Sequence, residues 1–454
     1  MGITPGRHRS TSLEKGVRNK TAHGTAAWWH LVIAIAVAAI VVLVVVPVLF
    51  DHWWFPAHRF TDLGYDYGYA RAVVRGKAPY RDFFPEYPPL SLWLIVPPAL
   101  SRQGHHAVGF PAYQVRFAAE MFALAALAAA VVALTARRLW IDAAHVYLAV
   151  AVFVLLLLAI GPLVEDRFDI GVALITALIL LAAVHGRLAV AAALVGLGCA
   201  YKITPVVLLP LLVVVAGWGR RSVIMCLSCL CVATIGFLPY LVTATAGIRH
   251  VFVYQTERPL EVESVLGLPI MAAHFLTGAV LRTGVSHRSW FLVGPLSHLM
   301  TSLSDPVTIV ALGAVCALLW RGRVGLRSNP RKLALGVLAL YLAFLCGDRV
   351  LSPQYLIWLL PAAALVALDD PLLGLGVLVS TALTQVEFPV LFLGILRFQP
   401  IDLLWLCARN VALLSTLVLA LWRLWGLPEP ALRSRAGRPA AAEAGPIESR
   451  LRTD

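Results

Sequence analysis

The chain has 454 residues, of which 60% are hydrophobic and only 13% are charged. A soluble globular protein of this composition would lack the polar surface that it needs to face water. A formal net charge of +13 would suit nucleic-acid binding if the basic residues formed one folded patch. They instead stand in short clusters between apolar runs, so we expect an integral membrane protein with no nucleic-acid partner.

The first apolar run, residues 27–49, exceeds the roughly 20 residues that a spanning helix needs. It is too long for the core of a signal peptide, and no small-residue cleavage site follows it. The preceding residues 1–26 carry five basic side chains against the single acid Glu14. The positive-inside rule therefore predicts that residues 1–26 form a basic cytoplasmic tail.

Apolar runs of comparable hydropathy recur along the chain and predict an all-α, polytopic transmembrane bundle of about 12 spans, within a range of 10 to 13. We expect spans at 27–49, 111–135, 142–162, 168–185, 188–201, 204–217, 222–244, 302–320, 333–346, 355–368, 371–393 and 401–423.

The distribution of charge predicts the side on which each connection lies. The segments assigned to the cytoplasm, counted with Asp142 and Arg423 at the adjoining span ends, hold 21 basic and 8 acidic residues, whereas the rest of the chain holds 16 of each. This asymmetry predicts a multi-pass plasma-membrane protein with both termini in the cytoplasm. The transmembrane domain is then 27–423, with outer loops at 51–110 and 245–301 that carry helices of their own. Residues 89–100 are expected to form an interfacial or re-entrant helix, and 424–454 a disordered cytoplasmic tail.

The first outer loop combines acids with aromatic residues. Asp62, Asp66, Asp82 and Glu86 stand among seven tyrosines and phenylalanines. Aromatic rings offer apolar faces to sugar C–H groups, and carboxylates accept hydrogen bonds from sugar hydroxyls. This composition suggests a sugar-binding loop, although an amphipathic helix on the membrane surface would have a similar composition.

Strings that follow one another along the chain carry a resemblance to a known family. They are Asp62 with Gly76, PYRDF at 79–83 and EYPPL at 86–90, then RFD at 167–169, YKITPVVLLPLL at 201–212, YQTERPLEVES at 254–264 and SPQYLIWLLP at 352–361. The ordered set covers most of residues 51–365. It resembles family 87 of the GT-C glycosyltransferases, the polyprenyl-phosphate-mannose-dependent mannosyltransferases of actinobacteria.

The resemblance implies an inverting hexosyltransferase that moves a sugar, by default mannose, from a polyprenyl phosphate to a glycolipid or cell-envelope polysaccharide. It implies no cofactor, metal or nucleotide sugar. Asp62 matches the family's general base, which accepts a proton as the acceptor hydroxyl attacks. Asp62 could also cap the helix that follows it. Asp66 departs from the family pattern, since relatives more often carry an aromatic residue there.

The leaving phosphate requires cationic partners, for which Lys202, Arg258, Arg349 and Arg167 are candidates on the predicted outer face. Lys202 could instead be a snorkelling side chain, and Arg167 and Arg258 could be members of ordinary ion pairs. The other residues that we assign to substrate binding lie in the acidic loop and in the family strings: Asp66, Asp82, Glu86, Tyr87, Asp169, Glu263 and Gln354.

Two other functions remain open. A lipid-linked sugar transporter or flippase would explain the many spans and the interruption of the helices around Lys202. A polymerase or ligase of the O-antigen type would use arginine and histidine from a later outer loop. The loop 245–301 contains Arg249, His250 and Arg258, which fits that alternative.

Overall fold

The computed structural model describes residues 28–52, 61–101 and 106–428. The predicted basic tail 1–26 lies outside the described residues, as do residues 429–454 of the predicted C-terminal tail. Residues 53–60 and 102–105 of the first predicted outer loop also lie outside them.

Helices dominate the described chain. Its first half contains α1 (Trp28–Asp51), α2 (Leu63–Val74), α3 (Pro89–Ala99), α4 (Phe110–Leu139), α5 (Ala143–Ile160), α6 (Leu163–Asp166), α7 (Ile170–Val184), α8 (Leu188–Tyr201) and α9 (Thr204–Ala216). The second half contains α10 (Arg220–Thr243), α11 (Thr245–Thr256), α12 (Val265–Thr277), α13 (Ser297–Arg321), α14 (Arg323–Ser328), α15 (Lys332–Gly347), α16 (Pro353–Val366), α17 (Pro371–Leu396) and α18 (Pro400–Trp425). An antiparallel hairpin, β1 (Arg282–Ser286) and β2 (Ser289–Val293), precedes α13.

The prediction of an all-α polytopic bundle is confirmed. Within the described residues, seven helices are long and apolar enough to cross a membrane, namely α1, α4, α5, α10, α13, α17 and α18. The other predicted spans coincide with the shorter apolar helices α7, α8, α9, α15 and α16. A helix of 16 residues, such as α15, rises about 24 Å, less than the roughly 30 Å hydrocarbon core. The total of twelve crossings therefore stays a prediction.

The short helices α7, α15 and α16 lie inside the bundle. Nearly all of the residues of α15 are buried, because α15 packs between α13 and α18. The helix α8 packs along α10, and Gly196 is what allows the close approach. A Cβ atom at Gly196 would lie 2.2 Å from the carbonyl oxygen of Cys229, so a larger residue there would push the two helices apart.

Basic side chains tie helix ends together at one end of the bundle. Arg331 donates through Nε to the carbonyl of Leu139 at 3.2 Å, at the end of α4. Arg327 donates through Nη2 to the carbonyl of Val214 at 3.0 Å, near the end of α9. The basic connection 321–332 thus lies at the same end of the bundle as the ends of α4 and α9.

The opposite end of the bundle carries α2, α3, α11 and the hairpin. The helix α3 is too short to cross a membrane and is broken by Pro97. Its Leu92 joins Ala200 and Phe237 in a small apolar cluster against the ends of α8 and α10. The chain before the hairpin is fixed to it by hydrogen bonds from Val262 to Trp290 and from Leu292 to Leu260, each 3.0 Å long. These elements surround a cavity.

Candidate active site at one end of the bundle

A cavity of about 630 Å³ opens at the end of the bundle opposite the basic helix ends. Its size falls within the range typical of ligand sites. Its walls come from the start of α2, the residues after α8, the segment 257–264, the hairpin turn and the connection between α15 and α16. The side chains facing it include both carboxylates and cations, so it can bind a polar, charged ligand.

Asp62 lies on the wall of this cavity immediately before α2. It occupies the N-cap position, but its carboxylate makes no capping hydrogen bond. The backbone N–H of Leu63 instead donates to the Oγ1 of Thr61 at 3.1 Å. The Asp62 carboxylate is about a third exposed, and its Oδ2 lies 3.3 Å from the Nε of Arg167. The capping role considered from the sequence is thus taken by Thr61, and Asp62 is available to a ligand.

Asp66 lies one turn further along α2 and is buried, with 2% of its surface exposed. Burial raises the pKa of this carboxyl well above its usual range, and the Asp62 anion adds to the effect. Its Oδ1 has no hydrogen-bond partner among the described residues. Asp66 does not line the cavity, so the structure separates the two carboxyls into one exposed and one buried group.

Glu86 faces the cavity from the chain between α2 and α3. Its Oε2 accepts a hydrogen bond of 2.5 Å from the hydroxyl of Tyr254 on α11. Its Oε1 lies 3.7 Å from Nη1 of Arg288 in the hairpin turn. Glu86 therefore joins the two predicted outer loops at the cavity mouth.

Arg288 is a cavity residue that the sequence did not indicate. Its guanidinium lies 4.4 Å from the ring centre of Tyr65 and 4.9 Å from that of Tyr69, and it donates to the Tyr69 hydroxyl. His287 and Arg288 both have positive φ, at 49° and 56°. Two-residue turns of this kind favour glycine and asparagine, so the sequence His–Arg does not indicate a turn. The positive charge of Arg288 was the one feature that could have suggested an anion-binding residue here.

Lys202 follows α8 and lies over buried aromatic rings. Its Nζ lies 2.7 Å from Oδ1 of Asp169, and the same oxygen accepts a 2.6 Å hydrogen bond from the indole of Trp358. The ammonium also lies 4.8 Å from the ring centre of Tyr355. Lys202 lines the cavity, whereas Asp169 lies behind it and is 1% exposed. Asp169 thus positions Lys202 and does not face a ligand.

Arg258 projects into the cavity from the segment after α11. The nearest carboxylate distance is 3.9 Å, from its Nη2 to Oε1 of Glu261, which is longer than a hydrogen bond. Ser352 donates to the same Glu261 oxygen at 3.1 Å. The Nε of Arg258 has no hydrogen-bond partner among the residues that the structure describes. Arg258 therefore keeps donor groups for an anionic ligand.

Arg349 also lines the cavity, but its guanidinium already has several partners. Its Nη1 donates to the carbonyl of Thr256 at 3.0 Å and approaches that of Arg258 at 3.4 Å, while its Nη2 contacts Asp305. These contacts fix the segment that carries Arg258. Arg349 thus has fewer free donors than Arg258.

The remaining predicted site residues divide into two groups. Tyr87, Glu263 and Gln354 line the cavity together with the residues described above. Asp82 does not line it: its carboxylate accepts hydrogen bonds from Arg81 Nε at 2.9 Å and from the backbone N–H of Ala78 at 2.8 Å. These bonds, that from Arg81 first, lower the pKa of Asp82 to about 2. Asp82 therefore stabilises a turn outside the cavity.

Further titratable groups face the cavity from positions that the sequence did not single out. Asp348 follows α15, and burial raises its pKa to about 7, against the opposing effect of Arg258. Glu261 and Asp305 also line the cavity. Within the described parts of the chain, no group of three or more His, Cys, Asp or Glu side chains is arranged to hold a metal ion.

Comparison with known proteins gives little beyond the structure itself. No protein-family model matches the chain, and no curated protein matches it. A similar solved structure is that of the Archaeoglobus fulgidus oligosaccharyltransferase in complex with zinc and sulfate, with 13% sequence identity and a TM-score of 0.39. The match covers 88% of this chain and 53% of that chain, so this chain spans about half the length of the oligosaccharyltransferase. At this level of similarity no function is transferred, and the family 87 resemblance stays a prediction.

Proposed function

We propose that the protein is a membrane glycosyltransferase that moves one sugar from a polyprenyl-phosphate donor to a hydroxyl of a glycolipid or cell-envelope polysaccharide. The reaction takes place in the cavity, on the outer face of the plasma membrane. The observation that carries the proposal is the position of Asp62, a partly exposed carboxylate on the wall of a cavity that is also lined by five cations: Arg167, Lys202, Arg258, Arg288 and Arg349.

Asp62 acts as the general base in this proposal. The acceptor hydroxyl donates a hydrogen bond to the Asp62 carboxylate and loses its proton as its oxygen attacks the anomeric carbon. Arg167 orients the carboxylate through the contact at Oδ2 and leaves Oδ1 for the hydroxyl. The attack breaks the bond between the anomeric carbon and the phosphate oxygen, and the sugar inverts its configuration. By the family resemblance the sugar is mannose.

The phosphate leaves with an added negative charge that cationic donors must stabilise. Among the described residues, the nearest carboxylates to Arg258 and Arg288 lie at 3.9 and 3.7 Å, so both arginines retain N–H groups for the phosphate. Lys202 uses one N–H for Asp169 and keeps two. Donors fixed before the reaction stabilise the developing charge strongly in a partly enclosed site. These contacts favour Arg258, Arg288 and Lys202 over Arg349 as phosphate ligands.

The outer-face assignment is supported by the separation of charge along the bundle. Arg327 and Arg331 tie helix ends together at the face away from the cavity. The positive-inside rule assigns that face to the cytoplasm. A polyprenyl phosphate in the outer leaflet then meets the cavity with its phosphate at the level of the cationic side chains.

Purified protein in lipid nanodiscs, supplied with a radiolabelled polyprenyl-phosphate mannose and a cell-envelope glycolipid extract, tests this function. Asp62→Asn is expected to abolish transfer, whereas Asp82→Asn, a matched change outside the cavity, leaves it intact. Full transfer by the Asp62→Asn variant would exclude Asp62 as the base.

A polymerase or ligase of the O-antigen type is the second candidate. The hairpin brings His287 and Arg288 to the same cavity as Arg258, which fits a site built on a later loop. Transfer that survives Asp62→Asn but is lost in Arg258→Ala would favour this candidate. Translocation of the labelled lipid across vesicles without a new glycosidic bond would favour a flippase instead.

A further inference from the structure

A group of buried polar side chains lies beside the cavity, where α17 and α18 pack against the segment 257–264. Glu387, Arg409 and Asn410 are completely buried, and Glu263 is 3% exposed. Glu263 also lines the cavity. The group therefore begins at the cavity wall and extends into the helical bundle. Ionisable side chains at such positions in membrane proteins are costly and are usually functional.

Two residues of α18 hold the end of the segment that carries Arg258. Arg409 donates through Nη2 to Oε1 of Glu387 at 2.9 Å and to the backbone carbonyl of Glu263 at 3.0 Å. Asn410 donates to the carbonyls of Glu263 and Ser264, each at 3.4 Å. The position of the segment thus depends on this polar group.

The charges of the group balance only if one carboxyl is protonated. The Glu263 carboxyl lies within hydrogen-bonding reach of the Glu387 carboxyl, and the only guanidinium that contacts Glu387 among the described residues is that of Arg409. Two carboxylates in contact at low dielectric do not both ionise, and a hydrogen bond between two carboxyls requires a proton. When one of the two carboxyls is protonated, the other carboxylate and the Arg409 guanidinium remain as one anion and one cation.

Several polar atoms of the group have no partner among the residues that the structure describes. They are Glu263 Oε1, Glu387 Oε2, Arg409 Nε and Nη1, Asn410 Oδ1 and both side-chain polar atoms of Gln385. Buried polar atoms are costly unless they form hydrogen bonds. A mixture of donors and acceptors in one place suits exchangeable protons and ordered water. The group therefore has the chemistry of a hydrated proton site.

The charged and titratable neighbours come from every element around Glu263. Glu263 itself interacts with Glu261 on its own segment, Glu387 on α17 and Arg409 on α18. Beyond these three, Arg258 lies near Glu261, Cys346 near Arg409 and Asp348 near Arg258. Burial raises the pKa of Glu263 well above its usual range, the anions of Glu387 and Glu261 raise it further, and Arg409 opposes them.

We propose that Glu263 and Glu387 form a proton-binding site that holds one shared proton at neutral pH and exchanges it with the cavity through Glu263. Release of the proton puts a second negative charge on the pair, at the cavity wall that Glu263 lines. If the proposed function holds, this charge weakens binding of the donor phosphate. The bound proton therefore favours the binding of an anion in the cavity.

Infrared spectroscopy of the full-length protein in nanodiscs tests the site without reference to activity. The protonated-carboxyl C=O band at neutral pH is compared among wild type, Glu263→Gln, Glu387→Gln and the double variant. Because one proton is shared, each single variant should lose the same amplitude of this band. The double variant should lose no more band amplitude than either single variant. Asp82→Asn, which removes an exposed and ionised carboxylate, should lose none.

Two spectroscopic results would overturn the proposal. An unchanged band in Glu263→Gln means that the pair holds no proton. A double variant that loses twice the amplitude of a single variant means that both carboxyls are protonated independently. Size-exclusion chromatography identifies any variant that fails to fold. If Glu387→Gln fails to fold, the comparison of wild type with Glu263→Gln is sufficient.

The pH dependence of the donor KM tests the coupling to the cavity. In an Asp348→Asn background, which removes the cavity acid whose pKa burial raises to about 7, we expect KM to rise several-fold at alkaline pH and to stay flat when Glu263→Gln is added. An equal rise of KM in the Asp348→Asn variant and in the variant that also carries Glu263→Gln would overturn the coupling. If the infrared spectra show the shared proton but the wild-type protein transfers no sugar, the proton site is supported and the proposed function is contradicted.

Discussion

The carboxylate of Asp62 and the guanidinium of Arg167 meet at 3.3 Å on the cavity wall, one just before α2 and the other between α6 and α7. The contact joins residues more than a hundred positions apart and leaves the Asp62 carboxylate partly exposed. Arg167 thus fixes the orientation of the group that serves as general base in the proposed reaction.

Replacing Asp62 with asparagine should lower kcat by about 10²–10⁴-fold, the usual contribution of a general base. The amide retains the shape of the side chain and still accepts a hydrogen bond, so expression and thermal stability should stay near those of wild type. Single-turnover transfer of a labelled sugar is the appropriate measurement. A kcat within a few-fold of wild type would contradict the assignment.

Replacing Arg258 or Arg288 with alanine should weaken binding of the donor. A hydrogen bond to a charged group contributes about 1.5–3 kcal/mol, which corresponds to roughly a tenfold to hundredfold rise in donor KM. Arg81→Ala is the matched control, because Arg81 pairs with Asp82 outside the cavity. A donor KM unchanged in both cavity variants would show that the phosphate binds elsewhere.

Asp169→Asn should destabilise the fold. It leaves the Lys202 ammonium, which is 9% exposed, without its anionic partner. Breaking a buried ion pair on one side costs about 3–5 kcal/mol. The double change Asp169→Asn with Lys202→Met removes both charges and should recover part of the lost Tm. If Asp169→Asn alone lowers Tm no more than Asp82→Asn does, the pair is not important for stability.

Asp348 should make the stability of the protein depend on pH. Burial raises its pKa to about 7 in the folded state, from near 4 in the unfolded chain. Between these values the folded protein holds a proton that the unfolded chain has lost, so stability should fall as the pH rises from about 4 to 7. The Tm of Asp348→Asn should fall less than that of wild type over this range. Wild-type and Asp348→Asn proteins whose Tm values fall by the same amount over this pH range would contradict the prediction.

The sequence predicts the helices well because apolar length is a strong signal in a membrane protein. Each predicted span coincides with a helix to within a few residues. The short helices α8 and α9 were recognisable because Lys202 and Pro205 interrupt the apolar run. The hairpin was missed, because His287 and Arg288 are not residues that mark a two-residue turn.

The predicted site could be found only in part, because spacing along the chain does not show which side chains share a cavity. Asp82 belongs to the same acidic loop as Asp62 and Glu86, yet it faces Arg81 and the backbone. Arg288 was overlooked because its partners Tyr65 and Glu86 lie some 200 residues earlier. Glu387 and Arg409 were hidden in long apolar runs, where a single charge does not reveal its partner.

We expect a glycosidic bond to form in this cavity with Asp62 as the base. Mass spectrometry of glycolipids, after purified protein has been incubated with a polyprenyl-phosphate sugar and an acceptor extract, measures that bond directly. Wild type and Asp82→Asn should give a product one hexose heavier than its acceptor, and Asp62→Asn at most a trace of it. The same product from Asp62→Asn at the wild-type rate, or donor translocation with no new product in any sample, would contradict it.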